Sequence, residues 1–123
     1  MKCELISYKG LLPKIGKGAK SSSTSTVIGN TVLGPKSILE DRVVLRGDGA
    51  EIIVGEGVTF LERSTVHVAS DLMGSYIGKG SIIGRFSLVH ACTIGKSVIL
   101  GDQAIVMVGS EIGDNCGFSA NSL

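Results

Sequence analysis

The chain has 123 residues, 43% of them hydrophobic but only 4% aromatic, with no tryptophan and a net charge of +1. That length argues for a single domain over 1–123, and the near-neutral charge offers neither nucleic acid nor an anionic membrane a basic surface. No apolar run reaches the length of a transmembrane helix and Met1-Lys2-Cys3-Glu4 lacks the apolar core of a secretory signal, so a cytoplasmic setting is expected, with Cys3, Cys92 and Cys116 as buried, reduced thiols that lack metal spacing.

Residues 1–14 carry no repeat; Tyr8-Lys9-Gly10 and Pro13 read as an extended lead-in over the open end of the repeat array. From Ile15-Gly16 a six-residue phase begins. The run Ser21-Ser22-Ser23-Thr24-Ser25-Thr26 has the composition of a flexible linker. The phase from Ile15 nevertheless lands on Ser21 and then Val27, which favours a degenerate repeat with small inward residues. The pattern resumes at Ile28-Gly29, Leu33-Gly34, Leu39 and Leu45, breaks between Leu45 and Gly55, and restarts at Val54, Phe60 and Val66. A break in a regular repeat marks a corner adjusted for function or assembly. Residues 69–76 read as a short protruding corner loop.

The clearest stretch begins at Ile77. Ile77, Ile83, Val89, Ile94, Leu100, Val106 and Ile112 are spaced by six, six, five, six, six and six residues, most of them followed by glycine. A small residue (Ser81, Ser87, Ser97, Ala104, Ser110) sits about four places on. Neither a helix nor a simple strand has that period, and a fixed period is the signature of a repeat architecture. The expected core is Ile28, Leu33, Leu39, Leu45, Val54, Phe60, Val66, Ile77, Ile83, Val89, Ile94, Leu100, Val106 and Ile112. In a stack of repeats these side chains form one continuous interior.

The form aliphatic-Gly-x-x-small-x resembles the hexapeptide repeat of single-stranded left-handed parallel β-helices, an all-β fold in which three repeats make one triangular coil. Further stretches narrow the resemblance: Val44-Leu45-Arg46-Gly47-Asp48 followed by Ile53-Val54-Gly55, then Ser64-Thr65-Val66-His67-Val68, then Ile83 to Gly95 with its Val89-His90-Ala91-Cys92-Thr93-Ile94-Gly95. Together with Pro13-Lys14-Ile15-Gly16 they resemble the γ-class carbonic anhydrase-like proteins over roughly residues 8–123. The resemblance implies that the usual C-terminal cap and packing helix are absent from this chain, which stops at Leu123 inside a repeat.

That family implies a homotrimer holding Zn²⁺, or Fe²⁺ or Co²⁺, on three histidines, two from one subunit and one from its neighbour. Three neutral imidazoles leave a position open for a water that ionises near neutral pH and attacks CO₂. His67 and His90 match the first and last ligand positions, and the third is Arg85, which cannot shed its proton to coordinate a metal. The amide that orients the metal-bound water corresponds to Leu61, and Glu62 stands beside it as an acidic residue that could serve catalysis. Arg46 and Asp48 match an ion pair across the family's trimer interface. Arg85 is open to pairing with Glu62 or to binding an anion such as bicarbonate. The implied function is a γ-carbonic anhydrase-like trimer acting on CO₂ or bicarbonate, with CO₂ hydration weak or lost. Two other classes stay open: a hexapeptide acyltransferase with a histidine base and an acyl donor, and a non-catalytic assembly subunit.

Overall fold

The computed structural model describes residues 1–123. It is all-β, with sixteen strands and no helix, so nothing helical is long and apolar enough to cross a membrane. The chain winds as a left-handed parallel β-helix with three faces. Lys14–Ile15, Ser75–Ile77, Thr93–Ile94 and Glu111–Ile112 lie on the first face. The second carries Lys20–Ser21, Ile38–Leu39, Thr59–Phe60, Ile82–Ile83, Ile99–Leu100 and Gly117–Phe118. The third carries Glu4–Ile6, Thr65–His67, Leu88–His90 and Ile105–Val106. Two longer strands, Thr26–Leu33 and Val44–Val54, run from the third face round onto the first.

Each face turns two residues inward, two places apart, as alternation along a strand requires. The pairs include Ser37 and Leu39, Val58 and Phe60, Ser81 and Ile83, and Val98 and Leu100, all buried. The second of each pair is the aliphatic residue of the repeat; the first sits near a corner, where the prism is narrow. Buried serines there are satisfied by backbone: Ser37 donates to the Gly55 carbonyl at 3.1 Å, Ser81 to Gly95 at 2.9 Å and Ser87 to Gly101 at 3.1 Å. A hydroxyl left without such a partner costs free energy in an apolar interior, and Ser64 Oγ is the one buried serine hydroxyl that has none.

The expected core is buried from Leu33 to Val106, and two of its members depart from expectation. Ile28 faces outward and Val27 fills the interior instead, because Gly29 has φ 69° and belongs to a corner rather than following an inward residue. Ile112 is half-buried at the end of the prism. Ser97 is likewise outside, at φ 53°, and Val98 takes the inward place. The Ser/Thr run is part of the β-helix, with Ser25 buried and Lys20–Ser21 and Thr26–Leu33 in strands. Of the three thiols, Cys92 is buried, Cys3 half-buried and Cys116 exposed, so burial holds for only one.

Two corners explain the sequence pattern. Between the first and second faces, Gly16, Gly34, Gly55, Gly78, Gly95 and Gly113 continue the registers that stack Ile15, Leu33, Val54, Ile77, Ile94 and Ile112. A Cβ on Gly78 would stand 2.5 Å from the Gly95 carbonyl carbon, and one on Gly55 2.7 Å from the Lys79 nitrogen. Only a bare backbone fits between coils at every one of these positions but Gly113. Between the second and third faces, Arg63, Phe86, Gln103 and Asn121 all have φ near +60°. Each donates its N–H to the coil before it: Arg63 to Asp41, Phe86 to Glu62, Gln103 to Arg85 and Asn121 to Asp102. The bond offsets a left-handed conformation that costs an L-residue about 1–2 kcal/mol.

All length variation falls at the third corner, between the third and first faces. On the first face, register sets Lys14 beside Val32, Val32 beside Ile53, Ile53 beside Tyr76, Tyr76 beside Thr93 and Thr93 beside Glu111. The coil from Val32 to Ile53 and the coil from Ile53 to Tyr76 are the long ones of this series. Their extra residues bulge outward after Gly47 and as the loop from Ala69 to Gly74, which Ala69 and Met73 close by pairing. Leu72 at its tip is 91% exposed. The phase break at 45–55 and the protruding loop at 69–76 are thus one corner in successive coils, the loop ending where strand Ser75–Ile77 begins.

Candidate functional site

The third corner gathers residues that lie far apart in the sequence. Parallel register stacks Arg46 on His67 and His67 on His90, at the outer edge of the third face. The bulge after Gly47 brings Asp48 back over this column. Arg46 donates from Nε and Nη2 to Asp48 Oδ2 at 3.1 and 2.9 Å, and His67 Nε2 lies 3.1 Å from Asp48 Oδ1. The imidazoles of His67 and His90 stack with centroids 5.2 Å apart and planes 11° from parallel. His90 Nε2 lies 3.3 Å from the Val68 carbonyl oxygen. Together with Ala69, Ser70 and Leu72 of the loop, these residues line an open cavity of about 450 Å³.

Hydrogen-bond chemistry fixes the tautomers. A carboxylate and a carbonyl only accept, so Nε2 carries the proton in both rings. Burial pushes the Asp48 carboxyl up, but the Arg46 guanidinium and then His67 outweigh it, holding Asp48 below the ordinary carboxylate range. Asp48 is therefore an anion held between a guanidinium and an imidazole. Within the chain Arg46 and Asp48 form an ion pair at 2.9 Å.

Arg85 and Glu62 are elsewhere. They stack at the corner between the second and third faces, so that strand Leu88–His90 separates Arg85 from the histidine edge. Arg85 Nε lies 3.3 Å from Glu62 Oε1 and Nη1 lies 3.5 Å from Asp102 Oδ2, while the Arg85 backbone N–H donates to Asp102 Oδ1 at 2.9 Å. Two carboxylates against one guanidinium leave no surplus positive charge, which argues against a free-anion site built on Arg85 in the single chain. Glu62 Oε1 is buried under Arg85 and makes no hydrogen bond, so as a proton-transfer group it is turned away from the histidines. Leu61 closes the second face just before it.

The donor set does not fit a tris-imidazole metal centre. No three His, Cys, Asp or Glu side chains converge in the chain in a metal-holding arrangement. Both available imidazoles direct their Nε2 protons at oxygen acceptors. Cys92, the thiol next to this column, is pushed by burial up to about 11 and stays a neutral core residue. Sequence reasoning misses Asp102, because its partnership with Arg85 becomes visible only when register has set Leu100 beside Ile83.

No family model matches the chain. Among solved structures it resembles a hexapeptide transferase family protein from Anaplasma phagocytophilum, with 30% identity, a TM-score of 0.91, and coverage of 98% of this chain and 70% of that one. Among curated proteins it is 28% identical over 107 residues to a carbonic anhydrase of Geobacillus kaustophilus, covering 87% of this chain and 58% of the relative. It is 28% identical over 116 residues to the mitochondrial gamma carbonic anhydrase 2 of Arabidopsis thaliana (90% and 42%) and 26% identical over 107 residues to the carnitine operon protein CaiE of Escherichia coli K12 (87% and 54%). The chain spans about half the length of the curated relatives it matches. With its six-residue repeat, its triangular coils and these relatives taken together, the chain belongs to the hexapeptide transferase family of hexapeptide-repeat proteins, and its similarity extends to the γ-carbonic anhydrases.

Proposed function

We propose that this chain forms a γ-carbonic anhydrase-like homotrimer in which CO₂ hydration is weak or lost. The observation that carries the reading is the donor set at the third corner: two stacked imidazoles, both proton-bearing at Nε2 toward Asp48 and Val68, and no third nitrogen. The position that would supply that nitrogen from a neighbouring subunit is Arg85, a permanent cation. A divalent ion (Zn²⁺, Fe²⁺ or Co²⁺) would then meet two weakly available donors and a positive charge. When bound in such a protein the metal supplies an ionised water at neutral pH; here His67 is bonded to Asp48 and His90 to the Val68 carbonyl instead.

The trimer is supported by the narrow prism itself, which buries little surface per residue and gains by covering a face. The outward strip of the third face stacks Thr26, Val44, Thr65, Leu88 and Ile105. Metal content after zinc loading, and CO₂ hydration by stopped flow, test the reading. The wild type is expected to hold well under one zinc per subunit and to hydrate CO₂ slowly. Arg85→His is expected to raise zinc occupancy, and Arg85→His with Leu61→Gln to raise hydration further. Stoichiometric zinc with rapid hydration in the unmodified protein would sink the reading.

A further inference from the structure

The third face has two unlike edges. One presents Arg46, Asp48 and the histidine pair; the other presents Arg85 between Glu62 and Asp102. Within one chain the edges cannot meet, because the strand Leu88–His90 fills the face between them. The Arg85 side chain is half exposed and makes only long contacts of 3.3 and 3.5 Å with its two acids, so donors of its five N–H groups remain free. Asp48 accepts two bonds from Arg46 and one from His67, and a carboxylate has roughly four lone-pair sites. It lines the open cavity beside two imidazoles whose planes are nearly parallel. A guanidinium is planar, forks onto carboxylates and stacks on aromatic rings, which a lysine or a bare ion does not.

Each edge carries both signs of charge. Arg85 on one edge answers Asp48 on the other, and Glu62 with Asp102 answer Arg46. An edge that fits a different edge of an identical molecule makes a head-to-tail contact, and such contacts close into a ring when the rotation from copy to copy closes. The occupant of the cavity is on this argument a second copy of the chain. We propose that the Arg85 guanidinium of a second copy enters the cavity of Asp48, His67 and His90 and bonds Asp48, so that a protein cation closes the site where a metal ion would otherwise be needed. The inference rests on the trimer reading above and deepens it: the subunits are joined by a metal-independent clamp, and Glu62 and Asp102 are positioning residues that aim Arg85.

The test is sedimentation of the full chain at micromolar concentration in excess chelator, comparing wild type, Arg85→Ala, Asp48→Ala and the double variant, with far-UV circular dichroism to check each fold. The wild type is expected to remain trimeric in chelator. Each single change is expected to weaken assembly by about 30-fold or more, the usual effect of truncating one partner of a desolvated charge pair. The double variant is expected to be scarcely weaker than the worse single one, since the two residues act on one contact. A trimeric wild type with an equally tight Arg85→Ala, or a double variant whose loss is the product of the two singles, overturns the clamp and leaves the trimer standing. A wild-type trimer that falls apart in chelator also overturns it, by giving the bridging role to a metal. A monomeric wild type removes the trimer reading and the clamp together. Should Arg85→Ala fail to fold, Arg85→Gln keeps the length without the charge; unweakened assembly of that variant overturns the proposal.

Discussion

Phe60 is the single aromatic side chain in the buried core, and it allows the packing account to be tested quantitatively. It is fully buried, and register places Leu39 directly on one side and Ile83 on the other, both buried as well. Shortening it to alanine removes a ring from the centre of a stack. The coils cannot slide together to fill the gap, because their spacing is held by backbone bonds on both sides: Glu40 N–H to the Phe60 carbonyl at 3.0 Å and Leu61 N–H to the Ile83 carbonyl at 2.9 Å. The loss therefore belongs at the upper part of the range for such truncations, about 4–5 kcal/mol. Phe60→Leu, which keeps most of the volume and matches the neighbouring coils, should cost less than about 1.5 kcal/mol. Urea unfolding followed by circular dichroism measures both, with an unchanged slope showing that the same surface is exposed. A Phe60→Ala loss under about 1 kcal/mol would mean that the coils do collapse around the gap, and the idea of a spacing fixed by backbone bonds would have to be abandoned.

Three other expectations rest on the same geometry. Gly78→Ala should destabilise by about 1–3 kcal/mol in urea titration, since the new methyl meets the Gly95 backbone at 2.5 Å and neither coil can yield. In thiol titration with an aromatic disulfide at pH 8, exposed Cys116 should react within seconds, whereas Cys92, with its pKa pushed up to about 11, should react only after unfolding. Asp48 has a lowered folded pKa, so its contribution to stability is present above its unfolded value of 3.8 and is lost as pH falls through the lower folded value. Asp48→Asn should therefore flatten the loss of stability measured between pH 5 and 2, and an unchanged acid profile would show that Asp48 is not held as described.

The period of six is legible because each face must turn the same two positions inward, and aliphatic residues mark one of them. Ile28 misleads for a local reason: an Ile-Gly pair looks like a repeat start, but here the glycine serves the corner and Val27 keeps the phase running from Ser21. The site is half legible. His67 and His90 can be singled out by motif, and their stacking follows once the register is known. The bond between Asp48 and His67 cannot be read from the sequence, because it depends on how a long coil folds its surplus back over the column. The bracket of Glu62 and Asp102 around Arg85 is hidden for the same reason, since one acid lies a full coil before the arginine and the other a full coil after it.

The glycine ladder has a consequence for how disturbance spreads. Each rung touches the backbone of the next rung and nothing further along the axis, so the molecule behaves as a row of units coupled only to their neighbours. A fault in one coil loosens the coils on either side of it and fades beyond them. The coils that carry His67 and His90 lie in the interior of that row, with neighbours on both sides. The rigidity that keeps the two imidazoles stacked is therefore supplied largely by residues that never touch them, and amide exchange should be slowest around these coils and rise toward either end of the prism.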